Sequence, residues 1–136
     1  MTTTELITKA ISFVNYTKID NSEMGSVACA LETDKGNIYY GVCIDTSSGM
    51  GFCAEHTAIS QMITNKEFNI SKIVAVKCST DNKIFILAPC GRCREFMYQI
   101  NRSNLENTEV IIEQDKTIKL KELLPYYDYR YQFNDK

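Results

Sequence analysis

The chain has 136 residues, 44% of them hydrophobic, which suffices for one core and predicts a single domain over residues 1–136. Its formal charge is -2, from 15 Lys and Arg against 17 Asp and Glu, with no basic block. That balance argues against a surface built to neutralise a polynucleotide, and no apolar run approaches the roughly 20 residues of a membrane span.

Thr2-Thr3-Thr4-Glu5 offers a capping box, and Leu6, Ile7, Ala10, Ile11 and Val14 follow at helical spacing. A first helix is therefore expected to about Tyr16, its apolar stripe facing the core. Lys18 to Gly25 reads as a polar loop. Val27 to Leu31 and Ile38 to Ile44 read as strands joined through the turn residues Asp34-Lys35-Gly36-Asn37. Between Asp45 and Gly51, glycines at 49 and 51 let the backbone approach something closely. Cys53 opens a second helix with Ala58, Ile59, Met62 and Ile63 inward. Ile73 to Val76 is a buried strand, and a turn at Asp81-Asn82-Lys83 leads into another, Ile84 to Ala88. A helix follows from Cys90 through Ile100, then a fifth strand, Glu109 to Glu113, and a turn at Asp115-Lys116. Leu120 to Pro125 is a short helical turn before an aromatic tail, Tyr126 to Phe133. The fold expected is of the α/β class: a three-layer α-β-α sandwich around a mixed five-stranded sheet.

Six cysteines without the charged and apolar regions of a signal peptide point to a reducing cytoplasm, and to metal binding before disulfides. The pivotal stretch is Pro89-Cys90-Gly91-Arg92-Cys93-Arg94-Glu95. Its two cysteines fall at the opening of a helix, three residues apart on one face, where free N–H groups and the helix dipole favour thiolates. Two such thiolates are half of a tetrahedral zinc site. Cys53 also opens a helix after a strand and loop, so three thiolates can converge on one metal. Three protein ligands leave a position for water, the mark of a catalytic zinc, and Glu55 is the candidate proton carrier beside it.

At Cys53-Ala54-Glu55 and Pro89-Cys90-Gly91-Arg92-Cys93 the chain resembles the zinc-dependent cytidine deaminase family, in its three-cysteine, free-nucleoside branch. The Glu122-Leu123-Leu124-Pro125 stretch is also typical of cytidine and blasticidin S deaminases. The resemblance implies that Cys53, Cys90 and Cys93 bind zinc, that Glu55 shuttles protons, and that the backbone of Ala54 and Ala88 contacts the pyrimidine edge. It implies hydrolysis of a 4-amino to a 4-oxo pyrimidine with release of ammonia, by a cytoplasmic homotetramer acting on a small-molecule cytosine nucleoside. Departures fall where substrate is chosen. The asparagine and glutamate that hold the ribose hydroxyls in the family correspond to Cys43 and Asp45, and the aromatic that covers the base corresponds to Gly25. A cysteine cannot replace an amide that both donates and accepts.

Other residues carry smaller expectations. His56, the one histidine, is placed to donate to a ligand sulfur, with Arg94 either serving similarly or solvated on its helix. Cys29 and Cys78 read as core packing. Tyr127 and Tyr129 are candidates to reach a neighbouring subunit's pocket or to sit at an interface. Beside a cytidine deaminase stand two alternatives: a deaminase of an analogue such as blasticidin S, and a zinc-containing nucleoside-binding protein without turnover. A polynucleotide deaminase is a distant third.

Overall fold

The computed structural model describes residues 1–135. Helix α1 (Thr3–Ser12) starts with the expected capping box: the Thr2 hydroxyl accepts the Glu5 N–H and the Glu5 carboxylate accepts the Thr2 N–H. It ends four residues before Tyr16. Beyond Ser12 the chain is rich in β-branched and aromatic residues, poor helix formers, and the Asn15 N–H bonds the Gly25 carbonyl instead. The stretch expected to be a polar loop is a hairpin. Strand β1 (Thr17–Ile19) turns through Asp20, whose φ of 54° an aspartate tolerates, and pairs antiparallel with the start of β2 (Ser22–Thr33). Gly25 is fixed by this hairpin. Its φ is +82°, and a Cβ there would meet the Asn15 carbonyl oxygen at 2.2 Å, so no aromatic can take the position without moving the backbone.

Strand β2 is the centre of the sheet. It pairs antiparallel with β3 (Ile38–Asp45) and with β4 (Ile70–Cys78). Strand β4 pairs antiparallel with β5 (Ile84–Leu87) at one end and parallel with β6 (Glu109–Glu113) at the other; β7 (Lys116–Lys119) closes against β6. The sheet therefore has seven strands, not the five expected. The two additions, β1 and β7, are short and largely exposed, so neither carries the apolar alternation that marks a strand in sequence.

Alternation along the inner strands sends side chains to two faces. Ala28, Ala30, Val74, Val76 and Ile111 pack against Leu6, Ile7 and Ala10 of α1. Cys29, Leu31, Ile73 and Val110 pack on the opposite face against α2 (Ala54–Thr64), α3 (Gly91–Ile100) and α4 (Asn104–Asn107), through Ala58, Ile59, Met62, Met97 and Leu105. The result is the expected three-layer sandwich. Full burial of each large apolar side chain contributes about 1.5–3 kcal/mol. Among the described residues no helix is long and apolar enough to cross a membrane.

Two features hold α2 in place. Gly41 of β3 lies directly under it: a Cβ would come within 2.3 Å of the Ala58 nitrogen and 2.7 Å of the Ala54 oxygen. At the far end of α2 the buried Glu67 carboxylate accepts hydrogen bonds from Thr33, Asn37 and Tyr39, tying the β2–β3 turn to the chain leaving the helix.

Candidate active site

Cys53 is the N-cap of α2 and Cys90 the N-cap of α3, both in the extended conformation that a cap adopts (ψ 160° and 165°), and Pro89 immediately precedes the second cap. Neither sulfur caps its own helix, which leaves both free to face elsewhere. They face each other, 3.4 Å apart. Cys93, in the first turn of α3, completes a group whose three sulfurs all lie within 4.8 Å of one another.

The donor set fits zinc. Four-coordinate zinc holds thiolates at about 2.3 Å, which sets tetrahedral sulfur–sulfur separations near 3.8 Å. Without a cation the three cannot ionise together. Burial, and then Cys90, push the Cys53 thiol up to about 11, and burial, Glu55 and Cys53 push Cys93 still higher. Cys90 goes the other way: burial opposes its thiolate, but the Cys93 N–H and the neighbouring thiols outweigh it and hold it below the ordinary thiol range. A divalent cation relieves the repulsion that the other two suffer.

Glu55 is in the first turn of α2, only 5% exposed, and desolvation holds its carboxyl above the usual carboxylate range. It borders a cavity of about 430 Å³ that Cys53 and Cys90 also line, and Cys43, Asp45, Ala54 and Ala88 line the same cavity. The structure thus brings together the eight residues expected to bind metal, carry the proton or contact substrate: Cys43, Asp45, Cys53, Ala54, Glu55, Ala88, Cys90 and Cys93. Cys43 is part of the wall: its sulfur accepts the Val27 N–H at 3.3 Å and touches the Ser26 hydroxyl at 3.5 Å. The Gly51 backbone does make a close approach, but to the chain itself. Phe52 forms a β-bridge with Ile44, and a Cβ at 51 would meet the Ile44 oxygen at 2.2 Å.

Three smaller expectations are revised or refined. His56 makes no hydrogen bond to a ligand sulfur among the described residues; its ring stacks between Phe52 (4.7 Å) and Phe96 (4.5 Å, 9° from parallel). Burial, then Arg92, lower its pKa and favour the neutral ring that such stacking suits. Arg94 is not a sulfur partner, and it is half-buried with backbone partners: Nε donates to the Pro89 carbonyl at 2.8 Å and a terminal nitrogen to the Leu123 carbonyl at 3.3 Å, bracing the loop that presents Cys90. Tyr127 rests on this chain's own α3, near Tyr98 and Arg102, whereas Tyr129 is largely exposed; neither lines the cavity. Cys29 is fully buried against the site, and Cys78 is half-buried at the end of β4. Sequence reasoning passed over Lys77, Phe52 and Arg92, which also line the cavity. The available signal for Lys77 was a lone charge ending the apolar run Ile73 to Val76.

Residues 1–106 match the family model described as the cytidine and deoxycytidylate deaminase zinc-binding region. The chain is 35% identical over 71 residues to a protein named probable cytidine deaminase from Dictyostelium discoideum, a match that covers 52% of this chain and 46% of that one, less than half the length of that relative. It is 32% identical over 98 residues to the blasticidin-S deaminase of Bacillus cereus, covering 68% and 69% of the two chains. Its fold is similar to the crystal structure of cytidine deaminase from Burkholderia pseudomallei, with a TM-score of 0.71 and 26% identity over 93% of this chain and 98% of that one.

Proposed function

The chain belongs to the cytidine and deoxycytidylate deaminase family, and from that membership and the cavity chemistry we propose that it is a zinc-dependent hydrolase that deaminates a free cytosine nucleoside. The observation that carries the reading is the placement of one buried carboxyl, Glu55, beside three convergent thiols at the wall of a cavity sized for a nucleoside. Cys53, Cys90 and Cys93 hold the zinc, which when bound supplies the Lewis acidity that activates water at neutral pH.

The remaining work falls to the chain. Glu55 removes a proton from water and passes it to the ring nitrogen, then delivers another to the departing amino group; water and the 4-amino pyrimidine become the 4-oxo pyrimidine and ammonia. Burial suits the carboxyl to hold a proton between those transfers. The Ala54 and Ala88 backbone, both on the cavity wall, orients the ring edge, and Asp45 accepts a sugar hydroxyl while Cys43 bounds the sugar without bonding it.

The similarity to a blasticidin-S deaminase, and an altered pair at 43 and 45, favour a cytosine nucleoside analogue as the second reading. The whole chain acts as one catalytic domain in this view, as a cytoplasmic homotetramer in pyrimidine salvage, with the exposed Tyr129 free to meet a neighbouring copy. Loss of cytosine absorbance with cytidine, deoxycytidine and blasticidin S, each supplied to zinc-loaded protein, tests the reading. Tight binding with no ammonia from any of them would replace the enzyme by a nucleoside-binding protein.

A further inference from the structure

Strand β2 does not run evenly beside β3. Met24 pairs with Ile44 and Ala28 with Val42, so three residues, Gly25, Ser26 and Val27, stand opposite one, Cys43. Such a bulge re-aims side chains that a regular strand would send elsewhere. Alternation from Ala28 and Ala30, which pack on the face of α1, would turn Ser26 to that face as well. Instead the Ser26 hydroxyl lies 3.5 Å from the Cys43 sulfur, and Ser26 lines the cavity. Gly25 permits the bulge through its φ of +82°, and the Asn15 N–H holds its carbonyl. The Cys43 sulfur accepts the Val27 N–H at 3.3 Å and so ties the bulge to β3.

The bulge lies toward the end of the cavity away from the buried carboxyl. Ala75 of β4 lines the cavity with Glu55, and its partner on β2 is Cys29. Val27 is two residues, about 7 Å, further along β2, and Ser26 follows it. In cytosine the sugar-bearing N1 lies across the ring from the reacting C4. A ring held for reaction by Glu55 therefore projects its sugar over Ser26, Cys43 and Asp45. A carboxylate such as Asp45 only accepts hydrogen bonds, and a thiol such as Cys43 donates weakly. The Ser26 hydroxyl is a strong neutral donor that also accepts. Among the described residues its one partner is the Cys43 sulfur, a weak one, which a sugar oxygen would better.

Resting on the deaminase reading, we propose that Ser26 is a specificity-determining residue that reads the sugar. Its hydroxyl donates to the oxygen of one sugar hydroxyl while Asp45 accepts the proton of another. The test measures ammonia release from cytidine, from its 2′-, 3′- and 5′-deoxy forms and from blasticidin S on zinc-loaded protein. Ser26→Ala, or Ser26→Gly if the first variant folds poorly, lowers kcat/KM for cytidine by about fivefold, mainly through KM, the worth of one neutral hydrogen bond. The same substitution leaves kcat/KM unchanged for one deoxy form, the one lacking the oxygen that Ser26 holds. A purely structural role would lower all four nucleosides alike. That uniform loss, or no loss with cytidine, overturns the proposal and leaves the deaminase standing, as does turnover of blasticidin S alone by the wild type. No ammonia from any of the five with the wild type overturns both.

Discussion

The Thr57 hydroxyl donates a 2.9 Å hydrogen bond to the Val42 carbonyl, which locks helix α2 to strand β3 one turn beyond Cys53 and two residues beyond Glu55. Gln61, one turn further, accepts the Tyr40 N–H at 2.9 Å. Together with the bare Gly41 between them, these contacts fix the position of the helix that carries one sulfur and the carboxyl.

Thr57→Val is expected to lower stability by about 1–2 kcal/mol, since it strands a carbonyl. Its larger effect is on kcat, about tenfold or more with KM nearly unchanged, because small misplacements of a reacting group are costly. Thr57→Ser should restore both. Steady-state kinetics beside thermal unfolding separates this from simple destabilisation: a Thr57→Val protein with wild-type kcat means that the helix is positioned by other contacts.

Glu55→Gln keeps the size of the side chain but cannot carry the proton. Turnover should fall by about 100-fold to 10,000-fold, the range for losing a general acid–base group. Zinc content and melting temperature should stay close to those of the wild type. Retained activity in this variant would remove Glu55 from the reaction.

Chelation should abolish activity and lower the melting temperature together. Among the described residues Cys53, Cys90 and Cys93 form the candidate metal site, and bound ligand at a thousandfold excess over Kd stabilises by about 4 kcal/mol. Restoring zinc should recover both properties, and Cys90→Ser should weaken metal retention in direct assay. Unchanged melting after verified metal removal would contradict a cluster that depends on a cation to ionise.

Glu67 sets a pH dependence of stability. Hydrogen bonds from Tyr39 and Thr33, against the cost of burial and with help from Asn37, hold its carboxyl below the ordinary value. A depressed folded pKa gives stability that is complete above the unfolded value, about 4.3, and is lost as pH falls through the folded one. Glu67→Gln should therefore be less stable than the wild type at pH 7, with the gap closing as the pH drops below about 4. Urea unfolding across that range reads the gap directly, and a constant gap would assign the effect to packing.

The residues of the candidate site were legible in the sequence because their signals are local. A cysteine at a helix start, three residues from another and behind a proline, advertises its chemistry within one turn, as do Cys90 and Cys93. The buried strands and amphipathic helices were legible for the same reason, periodicity. Strands β1 and β7 were not, since short exposed strands carry no apolar period and exist only by pairing with β2 and β6.

The tertiary structure alone decided what depends on distant parts of the chain meeting. It brought Cys53 to within 3.4 Å of Cys90 across 37 residues, and buried Glu55 enough to raise its pKa. It tied up Cys43 on Val27, stacked His56 between two phenylalanines, and set Lys77 in the floor of the cavity. Residue types and spacing fix which groups are able to react; desolvation, contact and direction are properties of the packed sheet and helices, and no short stretch of sequence contains them.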